Sequence, residues 1–144
     1  LYGPNDNFNQ DTSHVIAALI RRFYEAKKNN QKEVVVWGDG KSTRDFCYIE
    51  DIANGIISAG EKYNESTPLN LASGVEITIE ELVEIIKKQI KFEGTIVWDK
   101  NMPVGPNRRN VSIDLARKKI DYNPKYSLEE GIKKTVDYYI KSKK

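Results

Sequence analysis

The sequence predicts an α/β fold, rich in helix with short strands, that falls short of a complete doubly wound sheet. Three observations carry this. Stretches whose apolar residues recur at helical spacing alternate with short β-branched runs. The helical stretches are the longer ones. The chain also opens on Leu1-Tyr2-Gly3-Pro4, which reads as the end of a strand entering a turn, so a βαβ-rich protein would normally begin before this point.

In chain order, Thr12 to about Lys28 has helical spacing, with Val15, Ile16, Leu19, Phe23 and Ala26 on one face and Asp11, Thr12 and Ser13 as N-cap candidates. Val34-Val35-Val36-Trp37 is a strand, Gly38-Asp39-Gly40-Lys41-Ser42 a tight turn, and Arg44 to Tyr48 a second extended piece. Glu50 to Tyr63 returns to helical spacing, with Ile52, Ala53, Ile56, Ile57 and Gly60 on one side. Pro68 to Ala72 reads as a short apolar strand ended by Ser73-Gly74. Thr78-Ile79-Glu80-Glu81 is a capping box opening a helix that carries Leu82, Val83, Ile86 and Ile90. Gly94 to Trp98 is a strand, and Lys100 to Asn110, with two prolines and a glycine, a loop. A short helix falls near Leu115 to Lys119, and Ser127-Leu128-Glu129-Glu130 caps a last helix to about Lys141.

A chain of 144 residues forms one domain with a sizeable core. A net charge of +2 makes no case for nucleic acid or a membrane surface as partner. Cys47 is the single cysteine, which excludes an internal disulfide and fits the reducing cytoplasm. No apolar run approaches the roughly 18 residues of a membrane span.

Several residues have chemistry worth placing. On a helical wheel anchored at Val15, Arg21 points to solvent. Arg22 lies at the edge of the apolar stripe, where its stem can be buried and its head aimed into a cleft, or can simply snorkel. Trp37, at a strand end beside a glycine turn, suits either the core or stacking on a planar base. Arg44, across that turn, suits a diphosphate or an ion pair with Asp39 or Asp45. Met102 to Arg109 is a rigid basic loop in which prolines present Arg108 and Arg109 with little entropy to lose. His14 titrates near neutrality and is either an acid/base group or structural. One His and one Cys do not make a usual zinc site, and neither G-x-G-x-x-G nor a P-loop motif occurs.

Together, LYGPNDNF, SHVIAALIRRFYEAK, VVVWGDGKSTRDFCYIEDIA, LNLASG and TIVWDKNMPVGPNRR resemble the C-terminal, substrate-binding portion of the extended short-chain dehydrogenase/reductases, the NAD-dependent epimerase/dehydratase family. The resemblance covers nearly the whole chain and is nearest to the branch that epimerises and reduces GDP-4-keto-6-deoxy sugars. It implies that residues 1–144 form a single substrate-binding domain whose N-terminal Rossmann domain, with the glycine-rich loop for NADP or NAD and the Tyr-x-x-x-Lys pair, lies upstream. Tyr24 to Lys27 has the wrong spacing for that pair. The fragment alone is therefore expected to bind no cofactor and to be inactive.

Carried over by the resemblance, His14 is an acid/base group near the nicotinamide, partnered by a cysteine other than Cys47. Arg22, Trp37 and Arg44 contact a nucleoside diphosphate sugar, as does the loop at Pro103. GDP-binding members carry Asp-Gly after that proline, whereas this chain has Val104-Gly105, and Val104 accepts no hydrogen bond from guanine. Arg108 or Arg109 remains for the diphosphate. In the intact enzyme the tyrosine, helped by the lysine, would protonate the 4-keto oxygen as hydride arrives, and His14 and the cysteine would move protons beside the ketone. A fragment of a 4-epimerase or 4,6-dehydratase, and a non-catalytic binding domain, are the alternatives. Homo-oligomers through the exposed apolar side of the Glu50 to Tyr63 helix and the Leu69 to Ala72 strand are a further expectation.

Overall fold

A computed structural model describes residues 1–103 and 105–143, so Val104 lies outside the described residues. Tyr2 forms an isolated parallel bridge with Tyr48. Its N–H donates to the Cys47 carbonyl (3.3 Å), and its own carbonyl accepts from Ile49 N–H (3.0 Å). The opening residues are thus the strand end expected. The elements that follow are α1 (Val15–Lys28), β1 (Glu33–Trp37), β2 (Thr43–Asp45), α2 (Ile49–Lys62), β3 (Glu76–Thr78), α3 (Ile79–Ile90), β4 (Thr95–Asp99), β5 (Arg108–Arg109), α4 (Asp114–Ile120) and α5 (Leu128–Ser142).

The strands form two small sheets. β1 and β4 pair in parallel, Glu33 opposite Thr95 and Trp37 opposite Asp99. In the second sheet β2 is central, antiparallel to β3 and parallel to β5. The main core gathers α1, α3, α5 and β1 around Phe23, Ile20, Leu82, Ile86, Ile132 and Tyr139. A smaller one joins Ala72 to Ile113, Ala116, Ile120 and Tyr122.

Both capping boxes form. Thr78 Oγ1 accepts from Glu81 N–H (3.1 Å) while Glu81 accepts from Thr78 N–H (2.7 Å), and Ser127 and Glu130 repeat the exchange. Each satisfies donors that a helix start otherwise leaves without partners.

Four expectations need correction. First, α1 starts at Val15 with His14 as N-cap and no side-chain cap bond. The hydroxyl of Thr12 accepts instead from Asn7 Nδ2 (2.8 Å), within the preceding turn. Second, Arg21 is 9% exposed, not on the solvent side, while Val15 is 40% exposed. The helix is covered by β1, α3 and α5 rather than along a single stripe. Arg21 therefore lies inside, its Nη1 on Glu25 Oε2 (3.1 Å). Third, the apolar side of α2 is divided: Ile52 is buried with Asp51 and Gly55, whereas Ile56 and Ile57 are each 60% exposed, which is the exposed apolar surface expected of this helix.

Fourth, Pro68 to Ala72 is not a strand. Side chains occupy its backbone groups: Tyr122 Oη donates to the Ala72 carbonyl (3.0 Å), and the Asp45 carboxylate accepts from the N–H groups of Ser73 and Gly74 (both 2.8 Å). Asp51 makes a similar clasp, accepting from Lys125 N–H (2.8 Å) and Tyr126 N–H (3.1 Å).

Candidate functional site

β1 alternates, burying Val34 and Val36 in the core and leaving Glu33, Val35 and Trp37 outside. Trp37 is 46% exposed, with its ring beneath the Arg22 guanidinium, whose Cζ is 5.3 Å from the ring centroid. Arg22 Nη1 also donates to the Val35 carbonyl (3.3 Å). Burial, and then the neighbouring charge of Arg21, lower the Arg22 pKa. The guanidinium is thus held over an indole at the end of a strand, an arrangement of aromatic surface and charge that suits a planar anionic ligand.

After Trp37 the chain must reverse at once. Gly38 (φ 90°) and Gly40 (φ 78°) supply the left-handed conformations. A Cβ at Gly40 would sit 2.9 Å from the Trp98 ring. The turn is anchored at both ends: Gly38 N–H donates to the Asp99 carbonyl (2.8 Å), and the Gly40 carbonyl accepts from Glu80 N–H (3.0 Å) at the start of α3. The turn so fixed leads into β2 and sets down Arg44.

Neither anticipated ion pair of Arg44 forms among the described residues. Asp45 is engaged with Ser73 and Gly74, and Arg44 Nη1 donates to the Thr43 carbonyl (2.7 Å). A Cβ built on Gly105 would lie 3.0 Å from Arg44 Nη2, so the proline-rich loop closes directly over this cation.

These parts surround one cavity of about 450 Å³. Arg22, Trp37, Gly38, Arg44, Pro103 and Gly105 are in its wall, with Val15 and Leu19 of α1 as an apolar side. The exposure of Val15 is explained by this position. A more open depression of about 500 Å³ beside α3, among Lys87, Lys88, Lys91, Phe92 and Glu84, has neither an arginine nor a tryptophan in its wall.

The remaining candidates divide. His14 is exposed and is not in the wall of this cavity, although its chain neighbours Ser13 and Val15 are. Arg108 and Arg109 are not in the wall of this cavity. Arg108 is held by Glu76, Nε to Oε1 at 2.8 Å and Nη2 to Oε2 at 2.8 Å. Arg109 sits opposite Arg44 in the β2–β5 register and lines a second hollow that Arg44 shares. Val104 lies outside the described residues.

Sequence reasoning missed Glu76, whose carboxylate also accepts from Thr43 Oγ1 and Asn110 Nδ2. A lone glutamate before a capping box carries no signal of its long-range partners. The reading of Tyr24 also needs correction. Lys28 does complete a Tyr-x-x-x-Lys spacing, as Lys143 does after Tyr139. The two tyrosines meet edge to face (centroids 5.4 Å apart) between α1 and α5, and neither is in the cavity wall.

Comparison with known proteins agrees with this geometry. The NAD dependent epimerase/dehydratase family matches residues 1–72. The chain is 43% identical, over 99% of its length, to the putative GDP-L-fucose synthase 2 of Arabidopsis thaliana, of which it covers 43%. It superimposes on the GDP-L-fucose synthetase of Naegleria fowleri bound to NADP with a TM-score of 0.91 at 28% identity, covering 99% of this chain and 44% of that one. It superimposes on the UDP-glucose 4-epimerase of Thermotoga maritima, solved with UDP-glucose, with a TM-score of 0.87 at 26% identity, again covering 99% and 44%.

The fold is thus one that this chain shares with solved nucleotide-sugar epimerases and synthetases. The chain belongs to the NAD dependent epimerase/dehydratase family, and it spans less than half the length of the GDP-L-fucose synthase relative.

Proposed function

We propose that residues 1–144 are the substrate-binding portion of an NAD(P)-dependent nucleotide-sugar epimerase/reductase that acts on a GDP-4-keto-6-deoxy sugar. One observation carries the reading: Arg22, Trp37 and Arg44, from three separate elements, converge with the Pro103 loop on one cavity. In this reading the base stacks against Trp37 beside Arg22, and Arg44 neutralises the diphosphate, with Arg109 beside it. The similarity to GDP-L-fucose synthases favours GDP as the nucleotide.

The cofactor, NADP or NAD, supplies hydride from an N-terminal Rossmann domain of the parent enzyme. Of the residues present, His14, exposed at the start of α1 between two residues that line the cavity, would be placed next to it, where its imidazole would hold or release a proton at a carbon beside the ketone. The described residues offer no glycine-rich cradle for the pyrophosphate, so this portion by itself is read as a substrate binder. The lone, buried Cys47 fits a cytoplasmic setting. Among the described residues, no helix is long and apolar enough to cross a membrane.

The UDP-glucose 4-epimerase likeness favours one second reading, a 4-epimerase using a uridine nucleotide. Titration with GDP, UDP, dTDP and CDP, followed by the fluorescence of Trp37 and Trp98 and by calorimetry, separates the two. Saturable binding with GDP preferred is the expected result. UDP preference transfers the protein to the epimerase reading. Absence of saturable binding to any of the four, both for this chain and for it joined to the N-terminal half, removes the proposal.

A further inference from the structure

We infer that Glu76 is a positioning residue that fixes which of two consecutive arginines stands beside Arg44, in the hollow that Arg44 shares with the cavity. The inference rests on the substrate-binding reading above. β5 is only two residues long, Arg108 and Arg109, and follows the loop that roofs the cavity. So short a strand specifies its register weakly, and a slip by one residue exchanges the faces of the two side chains.

The sheet has two faces by strand alternation. Thr43 and Asp45 of β2, Glu76 and Thr78 of β3 and Arg108 of β5 share one, through the pairs Thr43–Thr78, Asp45–Glu76 and Thr43–Arg108. Arg44, Ile77 and Arg109 share the other. Without a pin, the sequence Arg108-Arg109 fits either way round.

Glu76 supplies the pin. Its two oxygens take the Arg108 guanidinium side-on, through Nε (2.8 and 3.1 Å) and Nη2 (2.8 Å), a fork that a lysine cannot reproduce. Thr43 Oγ1 and Asn110 Nδ2 donate to the same carboxylate, so β2, β3, β5 and the residue after β5 meet on one side chain. Thr43 N–H donates to the Asn107 carbonyl (2.8 Å) and so continues the attachment into the loop. With Arg108 engaged there, Arg109 falls opposite Arg44, and Gly105 lies over the Arg44 guanidinium.

Glu76→Gln tests this, since the amide retains the shape and an acceptor but loses the charged fork. Amide exchange at residues 107–110 is expected to accelerate on the order of tenfold, with exchange in the middle of α3 unchanged. GDP affinity is expected to weaken by a similar factor. The exchanged pair, Glu76→Arg with Arg108→Glu, is expected to recover most of both, whereas Arg109→Ala weakens GDP binding without loosening the segment. Unchanged exchange in Glu76→Gln overturns the inference, as does faster exchange with GDP affinity intact. A wild-type chain that binds no GDP, but whose segment loosens in Glu76→Gln, removes the functional reading and upholds the pin.

Discussion

At the scale of single residues, Arg22 and Trp37 illustrate how a contact prepares a surface. The cation lies over the ring and spends one donor on the Val35 carbonyl, so its orientation is set before any ligand arrives. Preorganisation of this kind reduces the ordering cost of binding. Arg22→Ala is expected to weaken nucleotide binding about tenfold, roughly 1.4 kcal/mol. The fold should lose only on the order of 1 kcal/mol, the usual range for one exposed cation–π contact and one hydrogen bond. Calorimetric titration alongside thermal unfolding checks both. A large loss of stability with unchanged affinity would assign the arginine to the scaffold.

The helical wheel located Arg22 correctly at the edge of the buried stripe and misplaced Arg21. Both results follow from one assumption, that α1 has a single covered face. The sequence of one helix does not reveal that β1, α3 and α5 all pack on it.

At the scale of elements, legibility follows the range of the interactions. The caps at Thr78 and Ser127 could be read because every partner lies within three residues. β3 and β5 could not, because three-residue and two-residue strands exist only through pairing with β2. The Leu69 to Ala72 stretch has strand composition, yet Asp45 and Tyr122 claim the backbone groups at its end.

The Glu76–Arg108 bridge, which ties β3 to β5 across β2, has a pH signature. Hydrogen bonds from Arg108 first, then from Thr43, hold the Glu76 pKa down at about 2 against an ordinary 4.5. A depressed carboxylate pKa adds stability that is fully present above the unfolded value and is lost as pH falls towards the folded one. Between about pH 4.5 and pH 2 the wild type is expected to lose a stabilisation that Glu76→Gln never had. Acid unfolding curves of the two proteins should therefore converge as pH falls. Curves that stay parallel would contradict the assignment.

At the scale of the whole molecule, α2 stands out for the apolar side chains it leaves uncovered. It meets α4 but leaves Ile56 and Ile57 largely in solvent, and Ile49 at its first turn is exposed too. In a chain that spans less than half the length of its relative, such a face suits contact with further protein. Sedimentation of the chain alone is expected to show concentration-dependent self-association. Replacing both residues with charge, Ile56→Lys and Ile57→Glu, should abolish it without loss of secondary structure. A wild type that stays monomeric at all concentrations would refute this use of the surface.

The cavity walls come from distant stretches of chain: the region from α1 to β2 on one side, and the start of α3 and the Pro103 loop on the other. The parallel pairing of Glu33 with Thr95 and of Thr43 with Arg108 brings them together. Closing such long loops is entropically costly, so neither wall exists as a binding surface in a partly folded chain. A molecule seated between them therefore acts as a reversible staple, absent from the unfolded ensemble and stabilising the native one by mass action. A ligand that binds there is therefore expected to slow proteolysis of the native chain as its concentration rises.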